Sequence, residues 1–118
     1  MISFSDIPGK GRGVVADEDI AAGTVIEVAP IITIPIFDKD PYDPPHAFGW
    51  DWERNAIVLG LTSLCNEDDD YNPNCYYVFN DRDMVSTLVS LRAIKRGEEI
   101  TIAYNCRRDW TSNCVSRK

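Results

Sequence analysis

The sequence is short of histidine, of basic residues, of paired cysteine motifs and of long apolar runs, and each shortage excludes something. Its one histidine, His46, is remote in sequence from Cys65, Cys75, Cys106 and Cys114. No two of those cysteines form a Cys-x-x-Cys, so the spacing does not support a zinc site, and no metal is expected. The longest apolar run, residues 30–37, is far too short to span a bilayer, and no membrane association is expected. Met1 leads into Ile2-Ser3-Phe4 without a basic segment followed by an apolar one, which argues against a secretory signal. The cysteines are then expected to be reduced thiols, and the location intracellular: cytoplasmic, or nuclear in a eukaryotic setting. Twelve basic residues stand against 19 acidic ones, a net charge of −7. That balance argues against direct nucleic-acid binding, which needs a basic face to displace counterions. It favours a basic partner, whose approach the summed field accelerates.

What is present is an ordinary globular composition, 44% apolar and 26% charged, in 118 residues. This is enough for one domain, taken as residues 1–118, with little room for a second module. Glycine and proline interrupt the chain often, and no window sustains a helical stripe for three turns. Between the breakers lie short β-branched runs at 24–28, 31–36, 56–59, 75–79, 84–91 and 99–103. The pattern predicts a mainly β domain of short strands with little helix. The tract 38–45, with three prolines among acids, reads as an exposed loop. His46, beside Phe48 and Trp50, reads as a surface residue ahead of a role on the substrate side. An internal echo is also present. Val15, Ile20, Gly23, Ile26 and Ala29 recur as Val89, Ile94, Gly97, Ile100 and Ala103, a constant offset of 74 residues. Each copy predicts a strand, a tight turn using glycine's backbone freedom, and a second strand.

Residues 64–75, LCNEDDDYNPNC, pose the main question. They admit a calcium loop, a metal or disulfide clamp, a solvated acidic tip, or an altered catalytic motif. Calcium fails on ligand positions: Asp68, Asp70 and Asn72 have the first spacings, but Pro73 stands where the loop needs glycine and Phe79 where it needs a bidentate glutamate. A second candidate is Gly9-Lys10-Gly11-Arg12-Gly13. Its alternating glycines let a backbone pass close to a ligand, although such a loop is also a common structural turn. It lacks the Gly-Lys-Ser/Thr of a phosphate loop, and strand formers rather than a helix follow it.

Taken together, the glycine-rich opening, Asn66 with Tyr71-Asn72-Pro73-Asn74-Cys75, and the ending "RGEEITIAY" at 96–104 resemble the SET domain of protein-lysine methyltransferases. "WDWERNAIVLGLTSLCN" is similar to the segment that leads into that family's Asn-His-Ser motif. The match runs over about residues 8–110, and the size suggests a minimal single-domain member. The resemblance implies a fold of short strands in several small sheets with a C-terminal pseudoknot.

It also implies S-adenosyl-L-methionine as cofactor and a basic protein or peptide, such as a histone tail, as the partner whose lysine is methylated. By motif position, the backbone of Lys10, Gly11 and Arg12 would hold the methionine end of the cofactor. Asn66 and its neighbour Glu67 would hold the amino-acid and adenine groups. Trp110 would stack on the adenine, or serve as a core or lid aromatic. Tyr104 would be the catalytic tyrosine at the substrate channel, and Tyr77 a channel wall. A homodimer completing the peptide groove is compatible with so small a domain, although no residue specifies it.

Three departures stand out. The family's histidine is Glu67 and its serine Asp68, and Asp69-Asp70 resemble an insertion before the proline-asparagine pair. A second tyrosine found in some members is Cys106. These substitutions keep open an alternative: a catalytically inactive SET-fold module that binds a basic peptide or protein.

Overall fold

A computed structural model of the protein describes residues 1–35, 48–49, 54–67 and 72–103. Its elements are strands β1 (Ile2–Ile7), β2 (Gly11–Ala16), β3 (Val25–Pro35), β4 (Phe48–Gly49), β5 (Arg54–Val58), β6 (Cys75–Asn80) and β7 (Val85–Ser90). One 3₁₀ turn, Leu61–Leu64, is the helical element among the described residues. The mainly β expectation holds. β1 and β2 form an antiparallel hairpin, and a five-stranded sheet runs in the order β4-β5-β3-β7-β6.

Alternation along the strands explains which face is buried. Ser86, Leu88 and Ser90 of β7 point inward, as do Cys75 and Tyr77 of β6 and Ala56 and Val58 of β5. Val28, Ile32 and Val78 remain exposed. The core is completed from outside this sheet by Val14, Ala16, Ile20, Ile94, Ile100 and Ile102. Burying the valine and the four isoleucines among these contributes about 1.5–3 kcal/mol each.

The sequence reading placed a break at Pro30, but β3 runs straight through it for 11 residues. The reason lies in the ladder. Residues Val25 to Pro30 pair with β7, and Ile31 to Pro35 pair with β5. Pro30 therefore sits where the strand changes partner, a position at which a missing N–H is tolerated. β1 did not stand out as a β-branched run, because two serines and an aspartate interrupt its sequence ISFSDI.

The expected pseudoknot is present. Thr101 forms a parallel bridge with Asn66, and Ile102 N–H donates to Asn66 O at 3.0 Å. On the other side, Cys75 N–H donates to Thr101 O at 3.1 Å. The 99–102 segment thus passes between the two ends of the 66–75 stretch, a threading that most folds avoid. Asn74 locks it in place. Its Oδ1 accepts from Thr101 N–H at 2.9 Å, its Nδ2 donates to Glu99 O at 2.8 Å, and its own N–H donates to Thr101 Oγ1 at 3.1 Å. A buried side-chain amide here replaces a missing strand neighbour, leaving the backbone groups satisfied.

Candidate active site

The β1–β2 turn brings the glycine-rich loop over the threaded segment. Lys10 N–H closes the turn on Ile7 O at 3.0 Å, and Gly9 and Gly11 adopt φ of 79° and 83°, where a side chain would be strained. From this turn the Lys10 ammonium reaches 57 residues along the chain to donate to Glu67 O at 3.0 Å. It also pairs with Glu99 Oε1 at 3.2 Å, with both side chains about one-fifth exposed.

Asn66 lies between the two segments. Its Nδ2 donates to Arg12 O at 3.1 Å and to Glu99 Oε2 at 2.9 Å. Gly13 makes this approach possible: a Cβ there would stand 2.7 Å from Asn66 Nδ2 and 2.6 Å from Ile7 Cγ1. The Arg12 guanidinium turns outward and lies 5.4 Å from the centre of the Phe4 ring, a cation–π contact.

Two further groups fix the route into Asn66. Glu27, on β3, accepts from Leu61 N–H and Thr62 N–H, both at 2.9 Å, and from Thr62 Oγ1 at 2.7 Å. Its carboxylate thereby satisfies the open donors of the 3₁₀ turn. Arg92 donates to Pro73 O at 2.9 Å and holds the return of the acidic stretch. Tyr77 is buried on β6, with its ring 5.2 Å from that of Phe79. Burial, and after it the charge of Glu67, pushes its hydroxyl above the ordinary tyrosine range, so it stays a neutral phenol.

Of the residues chosen from sequence, Lys10, Arg12, Asn66 and Glu67 meet in one hydrogen-bonded group, with Gly11 in the same turn. Tyr77 is buried on β6, near enough to Glu67 to feel its charge. Tyr104 and Trp110 lie outside the described residues, as do Asp68, Asp69 and Asp70. Sequence reasoning gave no role of their own to Glu99, Gly13 and Asn74, which stood inside its motifs, and passed over Glu27. Glu99 was in view as part of "RGEEITIAY", and its charge next to a recognised motif was the available signal. Glu27 carried none, because its partners are backbone donors 34 and 35 residues away.

The acceptor that Asn66 offers fits a cofactor with an α-ammonium group. Both Nδ2 hydrogens of Asn66 are engaged by protein acceptors, which leaves Oδ1 as an acceptor for an incoming donor.

The small sheets, the threaded C-terminal segment and this loop-to-asparagine contact define a SET-type methyltransferase architecture. The chain belongs to the SET domain family, whose model matches residues 11–105. It is 32% identical over 111 residues to a Schizosaccharomyces pombe protein named as a histone-lysine N-methyltransferase, H3 lysine-37 specific, an alignment covering 87% of this chain and 72% of that one. The crystal structure of a Plasmodium falciparum candidate histone methyltransferase superimposes with a TM-score of 0.71 at 23% identity. It covers 93% of this chain and 100% of that one, which shows the shared fold.

Proposed function

We propose that the protein is an S-adenosyl-L-methionine-dependent protein-lysine N-methyltransferase acting on a basic peptide such as a histone tail, built as a single SET domain over residues 1–118. The observation that carries this reading is the position of Asn66: its amide is clasped between the glycine-loop carbonyl of Arg12 and the threaded segment's Glu99. The H3-lysine specificity in the name of the fission-yeast relative makes histone H3 the first substrate to try.

In this reading, backbone groups of Lys10, Gly11 and Arg12 hold the methionine end of the cofactor, Asn66 accepts from its α-ammonium, and the Glu67 backbone meets the adenine. Trp110 covers the adenine, and Tyr104 and Tyr77 border the lysine channel. When bound, the cofactor supplies an electrophilic methyl on a positively charged sulfur. The chain's own residues hold the amine in line with it, exclude water and present oxygen atoms around the reacting centre.

The amine must arrive neutral. Taking a lysine from its usual pKa of about 10.4 to the free base near pH 7 costs about 4–5 kcal/mol. The net charge of −7 opposes that deprotonation while attracting the peptide. A division of labour resolves the conflict: acids surround the groove, while an apolar channel beside the sulfonium lowers the ammonium pKa. The neutral, buried Tyr77 phenol suits such a channel, since it adds no anion to it.

The second reading is a silent module that binds a basic peptide, and Glu67 in place of the family's histidine favours it. Isothermal calorimetry separates the two. The enzyme reading predicts saturable heat with S-adenosyl-L-methionine, whereas an absence of heat at millimolar cofactor leaves only the silent module.

A further inference from the structure

Glu99 lies outside every role considered so far, yet it joins the three parts of the site. Its Oε2 accepts from Asn66 Nδ2 at 2.9 Å, and its Oε1 accepts from Lys10 Nζ at 3.2 Å. Its backbone carbonyl accepts from Asn74 Nδ2 at 2.8 Å, and residue 99 bridges Val15 of β2. The side chain that touches Asn66 is therefore anchored at its backbone by the pseudoknot and at its head by the glycine loop.

Chemistry gives this anchoring a directional consequence. A side-chain amide can present either its oxygen or its NH2 to a ligand, and the two faces differ little in size. For Asn66 the choice is forced, because both of its neighbours are acceptors: the Arg12 carbonyl and the Glu99 carboxylate. Rotating the amide by half a turn would bring Oδ1 against two oxygens. The carboxylate matters more than the carbonyl, because a charge-assisted hydrogen bond is roughly twice as strong as a neutral one. Lys10 in turn holds the carboxylate and, through its bond to Glu67 O, ties the next residue to the same cluster.

We propose that Glu99 is a positioning residue of the cofactor site: it fixes the Asn66 amide so that Oδ1, and not Nδ2, is presented to the α-ammonium of S-adenosyl-L-methionine. This rests on the cofactor reading given above and adds a selective element to it. Glu99 itself touches no cofactor atom in this account. It acts through Asn66, and its effect is confined to ligands that carry the amino-acid moiety.

That confinement makes the test. Calorimetric affinities for S-adenosyl-L-methionine and for 5′-methylthioadenosine, which lacks the amino-acid end, are measured on the wild type, Glu99→Gln and Glu99→Ala. The expected result is a loss of about tenfold for the full cofactor with both variants, the scale of one misdirected hydrogen bond, and a change below about twofold for methylthioadenosine. The side-chain amide signals of Asn66 in a ¹⁵N–¹H spectrum should shift in both variants without ligand, because the carboxylate no longer polarises them.

Equal losses for both ligands would show that Glu99 serves only the fold, and no loss for either would show that Asn66 orients without it. Both outcomes overturn the proposal while leaving the methyltransferase reading intact. A wild type that binds neither ligand defeats the methyltransferase reading instead.

Discussion

Ile20 and Ile94 exchange both of their backbone hydrogen bonds, Ile20 N–H to Ile94 O at 2.7 Å and Ile94 N–H to Ile20 O at 2.8 Å. The relation repeats around them. Gly23 N–H donates to Ser90 O at 2.9 Å and Gly97 N–H to Ala16 O at 2.8 Å, while Ser90 N–H donates to Thr24 O and Ala16 N–H to Glu98 O, both at 3.0 Å. Each pair of bonds is exchanged by the 74-residue offset of the internal echo, so the two copies face one another across a local twofold. Both isoleucines are almost fully buried. Ile20→Ala and Ile94→Ala should each lower stability by about 2–5 kcal/mol and by similar amounts. The double variant should lose less than the sum, because the two truncations share one cavity. Urea unfolding curves check all three values.

Two glycines separate close approach from backbone freedom. Gly13→Ala would push a Cβ against Asn66 Nδ2 and Ile7 Cγ1, and should weaken S-adenosyl-L-methionine binding by at least about tenfold. Gly23 has φ of 78° with open space around it. Gly23→Ala should cost about 1–2 kcal/mol of stability while leaving the cofactor affinity of the folded protein unchanged. Melting curves and calorimetry on the two variants give opposite patterns.

Ser86 Oγ is buried on β7 and has no hydrogen-bond partner among the described residues. An unsatisfied buried hydroxyl costs about 1–3 kcal/mol of desolvation. Ser86→Ala should therefore leave stability unchanged or raise it by about 1 kcal/mol. A clear loss in denaturant unfolding would show that the hydroxyl serves a partner.

Cys65 and Cys75 carry buried thiols, and Cys65 Sγ donates to Leu61 O at 3.6 Å. Burial pushes the Cys65 thiol well above its usual 9.0, helped by Cys75 and the nearby carboxylates. Burial also raises Cys75 to about 12, against the pull of Arg92. A raised acid pKa means that the folded state holds its protons where the unfolded chain has released them. Stability is thus full below about pH 9 and falls as pH rises toward about 12. Each thiol contributes at most about 1.4 kcal/mol per pH unit in that window. Melting temperature against pH should slope downward above pH 9, with a shallower slope in Cys75→Ser. Thiol reagents at neutral pH, with the labelled sites read by peptide mapping, should label Cys65 and Cys75 far faster in the denatured chain than in the folded one.

Much of the fold was legible in the sequence because its signals are local. Short β-branched runs between breakers marked β6 and β7, the glycines at 23 and 97 marked turns, and both adopt positive φ. The echo foretold that the two halves are built alike, and the structure adds that they face one another. Pro30 misled because a proline at a change of strand partner looks, in sequence, like a proline at a strand end. The pseudoknot came from the resemblance alone. Asn66 meets Thr101 and Asn74 meets Glu99 through contacts of 25 to 35 residues' separation, which no periodicity encodes. Asn66 could be named in advance because its motif is distinctive. Glu27 could not, since what sets it apart is the set of backbone and hydroxyl donors it accepts from. Glu99 stood in a recognised motif, but its contacts lie 33 and 89 residues away.

The most direct test of the central claim is intact-mass and peptide mass spectrometry of core histones incubated with the protein and S-adenosyl-L-methionine. Methyl increments on lysine are predicted, on histone H3 before the others, and should be sharply reduced or altered in number with Tyr104→Phe. Histones that keep their original mass, with a protein shown by calorimetry to be loaded with cofactor, would contradict the account.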